Sequence, residues 1–375
     1  YEAALERIAY CFQEFDNVLV AFSGGKDSGV LLNLCYNYAD EHGLLDKLTM
    51  YHLDYEAQYQ MTTEYVTRTF LEQFPGIRKM WYCVPIKAQS ACALGEPYWT
   101  PWDAAKKKLW VRAMPENPYV VHEGNLDVPF RHGMVDYEFQ DKLSRHFAKK
   151  RGTTAVMVGL RADESLNRYA AVARGKKRRS YEGRKWITQT SAVTANVYPL
   201  YDWRVSDIWT ATARFGFDYN RLYDLLYQAG LTAGQMRVAS PFNDCAQESL
   251  KLYKVIDPSN WARMIGRVNG VNFTGLYGGT TAMGWKTIKL PPGHTWKSYY
   301  EFLLSTMDAR TAAHYNNILE KSKRYWMQGG TVDPGTADEV LAAYPLAAVT
   351  GKSGRYDGRD IVQFMGYPDD MPVSN

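Results

Sequence analysis

The residues best equipped for chemistry stand together at Ser23-Gly24-Gly25-Lys26-Asp27-Ser28. Two serines, two glycines and a lysine in six positions suit an anion that carries phosphates. Glycine lets the backbone come close to such an anion and takes a positive φ without penalty. The apolar run Val18 to Phe22 lies before this stretch and Gly29 to Leu34 continues it with helical spacing, so the segment reads as strand, glycine turn, helix. That turn aims backbone N–H groups and the positive end of a helix at one point. The spacing is not that of a Walker A loop, with four residues between its first glycine and Gly-Lys-Ser/Thr. It is not Gly-x-Gly-x-x-Gly either.

A second chemical stretch is Gly159-Leu-Arg-Ala-Asp-Glu-Ser165, followed by Asn167 and Arg168. Gly159 permits close approach of a nucleotide to a strand end. Arg161 and Arg168 offer forked contacts to phosphate or sulfate oxygens, and Asp163 or Glu164 offers the hard oxygens that magnesium takes. The strand expected over 48–53 delivers His52 and Asp54 to its C-terminal edge, where ligands bind in open α/β sheets. Asp54 is a candidate for nucleotide or magnesium contact, with a turn or cap role as its equal alternative; His52 reads as a packing histidine. The basic run 174–179, with Arg184 and Lys185 beyond it, is either a solvated loop, an arm that closes on a polyphosphate, or a nucleic-acid contact.

The elements that position these residues alternate. Helices are expected at 2–15, 28–42, 58–74 and 136–150, and strands at 18–22, 48–53, 78–84 and 155–158. The pattern predicts an α/β fold with a doubly wound, mostly parallel sheet over residues 1–215. Within it, 88–132 is rich in proline and tryptophan and is expected to form an insertion that serves as a lid or a partner surface. Ser206 or Asp207 is expected to cap the helix after Trp203. A helical C-terminal domain is expected over 216–330, with helices near 219–230, 247–255, 258–266 and 296–326. A weakly structured tail should follow over 331–375.

With 375 residues, of which 46% are hydrophobic, the chain can bury the core of such a domain and a second part. Its formal charge of +4 is too small to mark a nucleic-acid binder by itself. Five scattered cysteines form no Cys-x-x-Cys pair and no zinc spacing, which predicts free thiols in a reducing cytoplasm. No apolar run reaches the roughly 18 residues of a membrane span, and no signal peptide is recognisable. Oligomeric state leaves no mark in the sequence.

Ser-Gly-Gly-Lys-Asp-Ser resembles the PP-loop of N-type ATP pyrophosphatases and of phosphoadenosine-phosphosulfate (PAPS) reductases. Gly159-x-Arg161-x-x-Glu164-Ser165 is similar to a string at the corresponding strand end of those reductases. Pro199-Leu200-x-x-Trp203-x-x-x-Asp207-x-Trp209 resembles a further segment, structural in role. The aromatic insertion and helical C-terminal part make the chain similar to immunoglobulin-binding-regulator A type proteins, co-activators of prophage gene expression encoded beside a partner with a ParB/sulfiredoxin-like domain.

The resemblance implies a Rossmann-like, adenine nucleotide alpha-hydrolase-like fold and ATP with magnesium, cleaved between the α and β phosphates. Ser23, Gly24, Gly25 and Ser28 would then cradle phosphate, with Lys26 offsetting charge on pyrophosphate. Asp27, with Asp54 or Glu164, would hold the metal, and Arg161 and Arg168 would stabilise developing charge. The adenine would lie near Ala21, Phe22, Leu53 and Gly159. The Glu-Cys-Gly-Leu-His segment of PAPS reductases is missing and Cys245 lacks its neighbours, which argues against thiol-driven reduction. PAPS or adenylyl-sulfate reduction and a non-catalytic, nucleotide-sensing regulator remain the alternatives.

Overall fold

The computed structural model describes residues 1–93, 96–165, 168–169, 172, 180–238, 240–243, 246–278, 280, 291–294, 296–313 and 315–317. Asn167, the basic run 174–179, Cys245 and the expected tail lie outside these residues. The chain divides into two compact units, one of Tyr1–Cys92 with Glu96–Val271 and one of Ala93–Gly95 with Asn272–Asn375.

In the first unit the alternation appears as expected. It runs α1 (Glu2–Glu14), β1 (Asn17–Ala21), α2 (Lys26–Glu41), β2 (Leu48–Leu53), α3 (Gln60–Glu72) and β3 (Arg78–Cys83). The insertion contributes β4 (Ala88–Gln89), β5 (Tyr98–Trp99) and β6 (Val120–His122); α4 (Asp136–Arg151) and β7 (Thr154–Met157) follow. An eight-stranded sheet has the order β6-β3-β2-β1-β7-β10-β9-β8, with β8 (Ser180–Tyr181), β9 (Arg184–Gln189) and β10 (Thr194–Val197) at one end. Pairing is parallel from β6 through to β10 and antiparallel only for β10 with β9 and β9 with β8.

Alternation along β1 explains the layering. Val18, Val20 and Phe22 pack with α1, α2 and α3, while Leu19 packs with Phe139, Leu143 and Phe147 of α4 on the other face. From β1 the chain moves outward through β2 and β3 to β6, then returns by α4 to β7 on the far side of β1. The C-terminal ends of β1 and β7 therefore form a topological switch point, where open α/β sheets place ligands.

Three expectations change. The insertion is no detached lid: β6 extends the sheet beside β3, pairing Trp81 with Val120. Arg184 and Lys185 sit on the antiparallel edge strand β9, and the Arg184 guanidinium lies 4.0 Å from the centre of the Tyr10 ring, which fixes it to α1 rather than to a closing arm. The first unit also continues past 215. α5 (Val205–Phe215), α6 (Leu222–Gln228), α7 (Gln247–Leu250), α8 (Tyr253–Ile256) and α9 (Pro258–Arg267) belong to it. Leu222, Leu226, Phe242, Trp261 and Met264 share one core with Ala57, Tyr59 and Trp99 of the sheet edge, so no boundary falls at 215. At the start of α5 the cap is Arg204, whose N–H donates to the Asp207 carboxylate at 2.7 Å.

In the second unit, α10 (Val271–Tyr277) begins one residue before the division, and α11 (Trp296–Ser305) ends well short of 326. A new turn starts after Asp308, whose carboxylate accepts from Arg310 N at 3.0 Å and Thr311 N at 3.1 Å, as a helix N-cap does.

Candidate functional site

Two glycines permit the site. Gly24 has φ +77, and a Cβ there would lie 2.9 Å from Val66 Cγ2 of α3. Gly159, just after β7, would bring a Cβ to 3.0 Å from the Asp27 carbonyl and Ser28 N. The loop after β1 and the segment after β7 thus touch backbone to backbone, which any side chain at 159 would prevent.

The loop is closed on itself. Ser23 N donates to Ser28 Oγ at 3.2 Å, Gly25 N to Ser23 Oγ at 3.3 Å, and Ser28 Oγ to Gly25 O at 3.0 Å. Gly25 caps α2 in extended conformation, so Lys26 and Asp27 occupy the first turn of a 16-residue helix. Anionic groups are favoured at that end.

Across the switch point the charges interlock. Arg161 is 3% exposed; its Nε donates to Asp27 Oδ1 at 2.5 Å, another nitrogen pairs with Asp163, and a third lies 3.6 Å from Glu164 Oε1. Arg168 pairs with the other oxygen of Glu164. Burial alone would lower the Arg161 pKa, but the Asp27, Glu164 and Asp163 charges outweigh it and raise it, so the guanidinium stays charged. Lys26 Nζ is 3.3 Å from Asp27 Oδ2. Lys26, Asp27, Arg161, Glu164 and Arg168 therefore form one connected cluster.

Residues that the sequence reading did not connect with this site cover the loop. Asn220 Nδ2 donates to Gly24 O at 3.3 Å, the Tyr223 hydroxyl accepts from Lys26 N at 3.1 Å, and Lys26 Nζ donates to Met236 O at 3.2 Å. Arg237 donates to Glu164 O at 3.0 Å. Trp209 packs edge-on against Tyr223 with ring centres 5.3 Å apart, which gives the Pro199 to Trp209 segment its part in the site. Nothing in the pattern distinguished Tyr223 from a core residue of a short amphipathic helix.

Asp54 stands apart from this cluster, contrary to the metal and nucleotide role expected of it. It is fully buried, and its carboxylate accepts from Trp81 Nε1 at 2.7 Å, Glu56 N at 2.8 Å and Arg112 at 2.5 Å. Burial alone would raise its pKa; the Arg112 and His52 charges and these hydrogen bonds lower it on balance. Next to it the fully buried Glu56 accepts from Trp102 N, Val111 N and Arg267 at 2.7 to 3.0 Å. These two acids clamp the aromatic insertion and α9 to the end of β2. His52 is a buried packing group, its Nδ1 2.8 Å from Phe22 O and its pKa lowered by burial.

Phe22 and Leu53 cannot flank one adenine together. Phe22 is 2% exposed in the α2/α3 core beside Tyr65, whereas Leu53 packs in the α4 core on the opposite face. Ala21 and Gly159 keep partial exposure near the crevice.

Among the described residues no three His, Cys, Asp or Glu side chains gather as a metal site. Asp27 is 14% exposed and Glu164 10%, which suits a magnesium ion that arrives on substrate phosphates and takes one or two carboxylates. No described helix is long and apolar enough to cross a membrane.

A Rossmann-like α/β sheet with this loop at its switch point fits what comparison with known families finds. The model of the phosphoadenosine phosphosulfate reductase domain matches residues 17–229, and the chain belongs to that family. A domain of unknown function (DUF3440) matches residues 230–375.

The chain is 34% identical over 347 residues to uncharacterized protein YbdN of Escherichia coli (strain K12), covering 91% of this chain and 84% of that one. Among solved structures, PAPS reductase from Candida auris in a phosphate complex aligns at 16% identity and TM-score 0.34, over 59% of this chain and 84% of its own. FMN adenylyltransferase of Candida glabrata with FMN and an ATP analogue aligns at 14% identity and TM-score 0.34, over 59% and 58%.

Proposed function

We propose that the protein binds ATP through Ser23 to Ser28 and cleaves it between the α and β phosphates. The observation that carries this reading is the direct contact of the loop after β1 with Gly159 and Arg161 after β7, which joins Lys26, Asp27, Arg161, Glu164 and Arg168 in one charged cluster. Water or an acceptor hydroxyl attacks the α phosphorus, the bond to the bridging oxygen breaks, and pyrophosphate leaves with the electron pair. Lys26 and the N-terminus of α2 hold the leaving group. Arg161 and Arg168 turn from their carboxylates to the developing charge. Asp27 and Glu164 are then free for magnesium brought in on the phosphates, which supplies charge neutralisation.

On this reading the chain acts in the cytoplasm with a partner bearing a ParB/sulfiredoxin-like domain, as the likeness to immunoglobulin-binding-regulator A type proteins implies. Labelled ATP with magnesium, incubated with and without that partner, is expected to give AMP or an adenylylated acceptor together with pyrophosphate. Intact ATP in both incubations, with the protein folded, would overturn the reaction. ATP binding without product would select a nucleotide-sensing regulator.

Membership of the PAPS reductase domain family favours sulfonucleotide reduction as the second reading. The cysteines other than Cys245 lend it no nucleophile: Cys11, Cys35, Cys83 and Cys92 are all buried, and burial pushes the thiols of the first three up, away from thiolate. PAPS turnover with a thiol donor, lost in Cys245→Ser, would select that reading.

A further inference from the structure

The loop that should receive phosphate has its donors already taken, and the groups that take them come from one stretch of chain. The N–H of Lys26, one of those a helix N-terminus offers an anion, is held by the Tyr223 hydroxyl at 3.1 Å. The Lys26 ammonium is held by Met236 O at 3.2 Å and Asp27 Oδ2 at 3.3 Å, with the Tyr223 ring centre 5.2 Å away. Its side chain is 4% exposed and Tyr223 is 2% exposed. A buried ammonium without partners is costly, so these contacts stand in for an anion. They also exclude one: a phosphate oxygen on Lys26 would face the Met236 carbonyl, acceptor against acceptor.

We infer that residues 220–238 are an autoinhibitory gate, which occupies the phosphate loop when nucleotide is absent and must withdraw from Lys26 before phosphate binds. The inference rests on the nucleotide reading above and adds its regulation. The stretch is built to move. After α6 it turns at Gly230, φ +89, and continues through 231–238 without helix or strand. Arg237 and Val238 line a cavity with Gln58, Tyr59 and Tyr253, so the far side of the segment is not solidly packed. Arg237 also donates to Glu164 O, so withdrawal would reach the segment after β7 as well. The gate spans both matched families, Tyr223 lying in the reductase domain and Met236 in the domain of unknown function. This gives the start of the second region a role at the nucleotide site.

The test uses the full chain with inorganic pyrophosphate and ATP as probes. Calorimetry should show pyrophosphate binding about tenfold tighter in Tyr223→Phe than in wild type, because the buried Lys26 N–H loses its internal acceptor and regains one only with the anion. Hydrogen exchange of the 232–238 amides in wild type should speed up when pyrophosphate binds. Weaker or unchanged affinity in Tyr223→Phe would overturn the gate, as would slower or unchanged exchange of 232–238 on binding. Failure of both proteins, shown to be folded, to bind either probe would overturn the nucleotide reading itself.

Discussion

Two acid–arginine clusters sit on the C-terminal edge of the same sheet and serve different ends. After β2, Asp54 and Glu56 are fully buried, and Arg112 and Arg267 answer them together with backbone and indole donors. Between β1 and β7, Asp27, Glu164 and Arg168 keep 14%, 10% and 41% of their side-chain surface and share one buried arginine. A carboxylate whose acceptor sites are all filled by fixed donors in the interior holds structure together. One at the rim of a crevice can exchange an arginine for a metal or release it to a phosphate. Residue type is the same in both; accessibility and satisfaction separate them.

The strongest test of this contrast is Glu56→Ala. It leaves Arg267 buried without its carboxylate and should cost about 3–5 kcal/mol of stability, read as a lower urea midpoint; a loss below about 1 kcal/mol would erase the distinction. At the other cluster, Lys26→Ala should leave the protein folded and cut ATP turnover by about two to three orders of magnitude, as loss of one group that stabilises transition-state charge does. Retained turnover in the folded variant would remove Lys26 from the chemistry.

Gly159→Ala should cost about 1–3 kcal/mol through overpacking against Asp27 and Ser28, with weaker ATP binding as its signature. Unchanged stability and binding would show that the backbone contact has slack.

The smallest effect concerns acid. The folded-state pKa of Asp54 is lowered, so its contribution to stability is present above the ordinary carboxylate value of about 3.9 and is lost as pH falls through the lower folded value. Asp54→Asn should be less stable at neutral pH and lose less stability than wild type as pH falls below about 4. An acid limb of the same slope in both would assign that sensitivity elsewhere.

The sequence by itself determined the alternating elements, the strand-loop-helix at Val18 to Leu34 and the companion stretch at Gly159 to Arg168. These are short-range patterns, in which apolar periodicity, glycine and charge lie within a few residues of one another. Only the tertiary structure decided which acids were spent. Asp54 and Glu164 look alike as acids at strand ends, yet Arg112, 58 positions further on, neutralises the first. The cover on the loop was equally hidden, because Tyr223 and Met236 meet Lys26 across separations of 197 and 210 residues. Partners that distant leave no periodicity to read, and what they bury or leave open is set by packing alone.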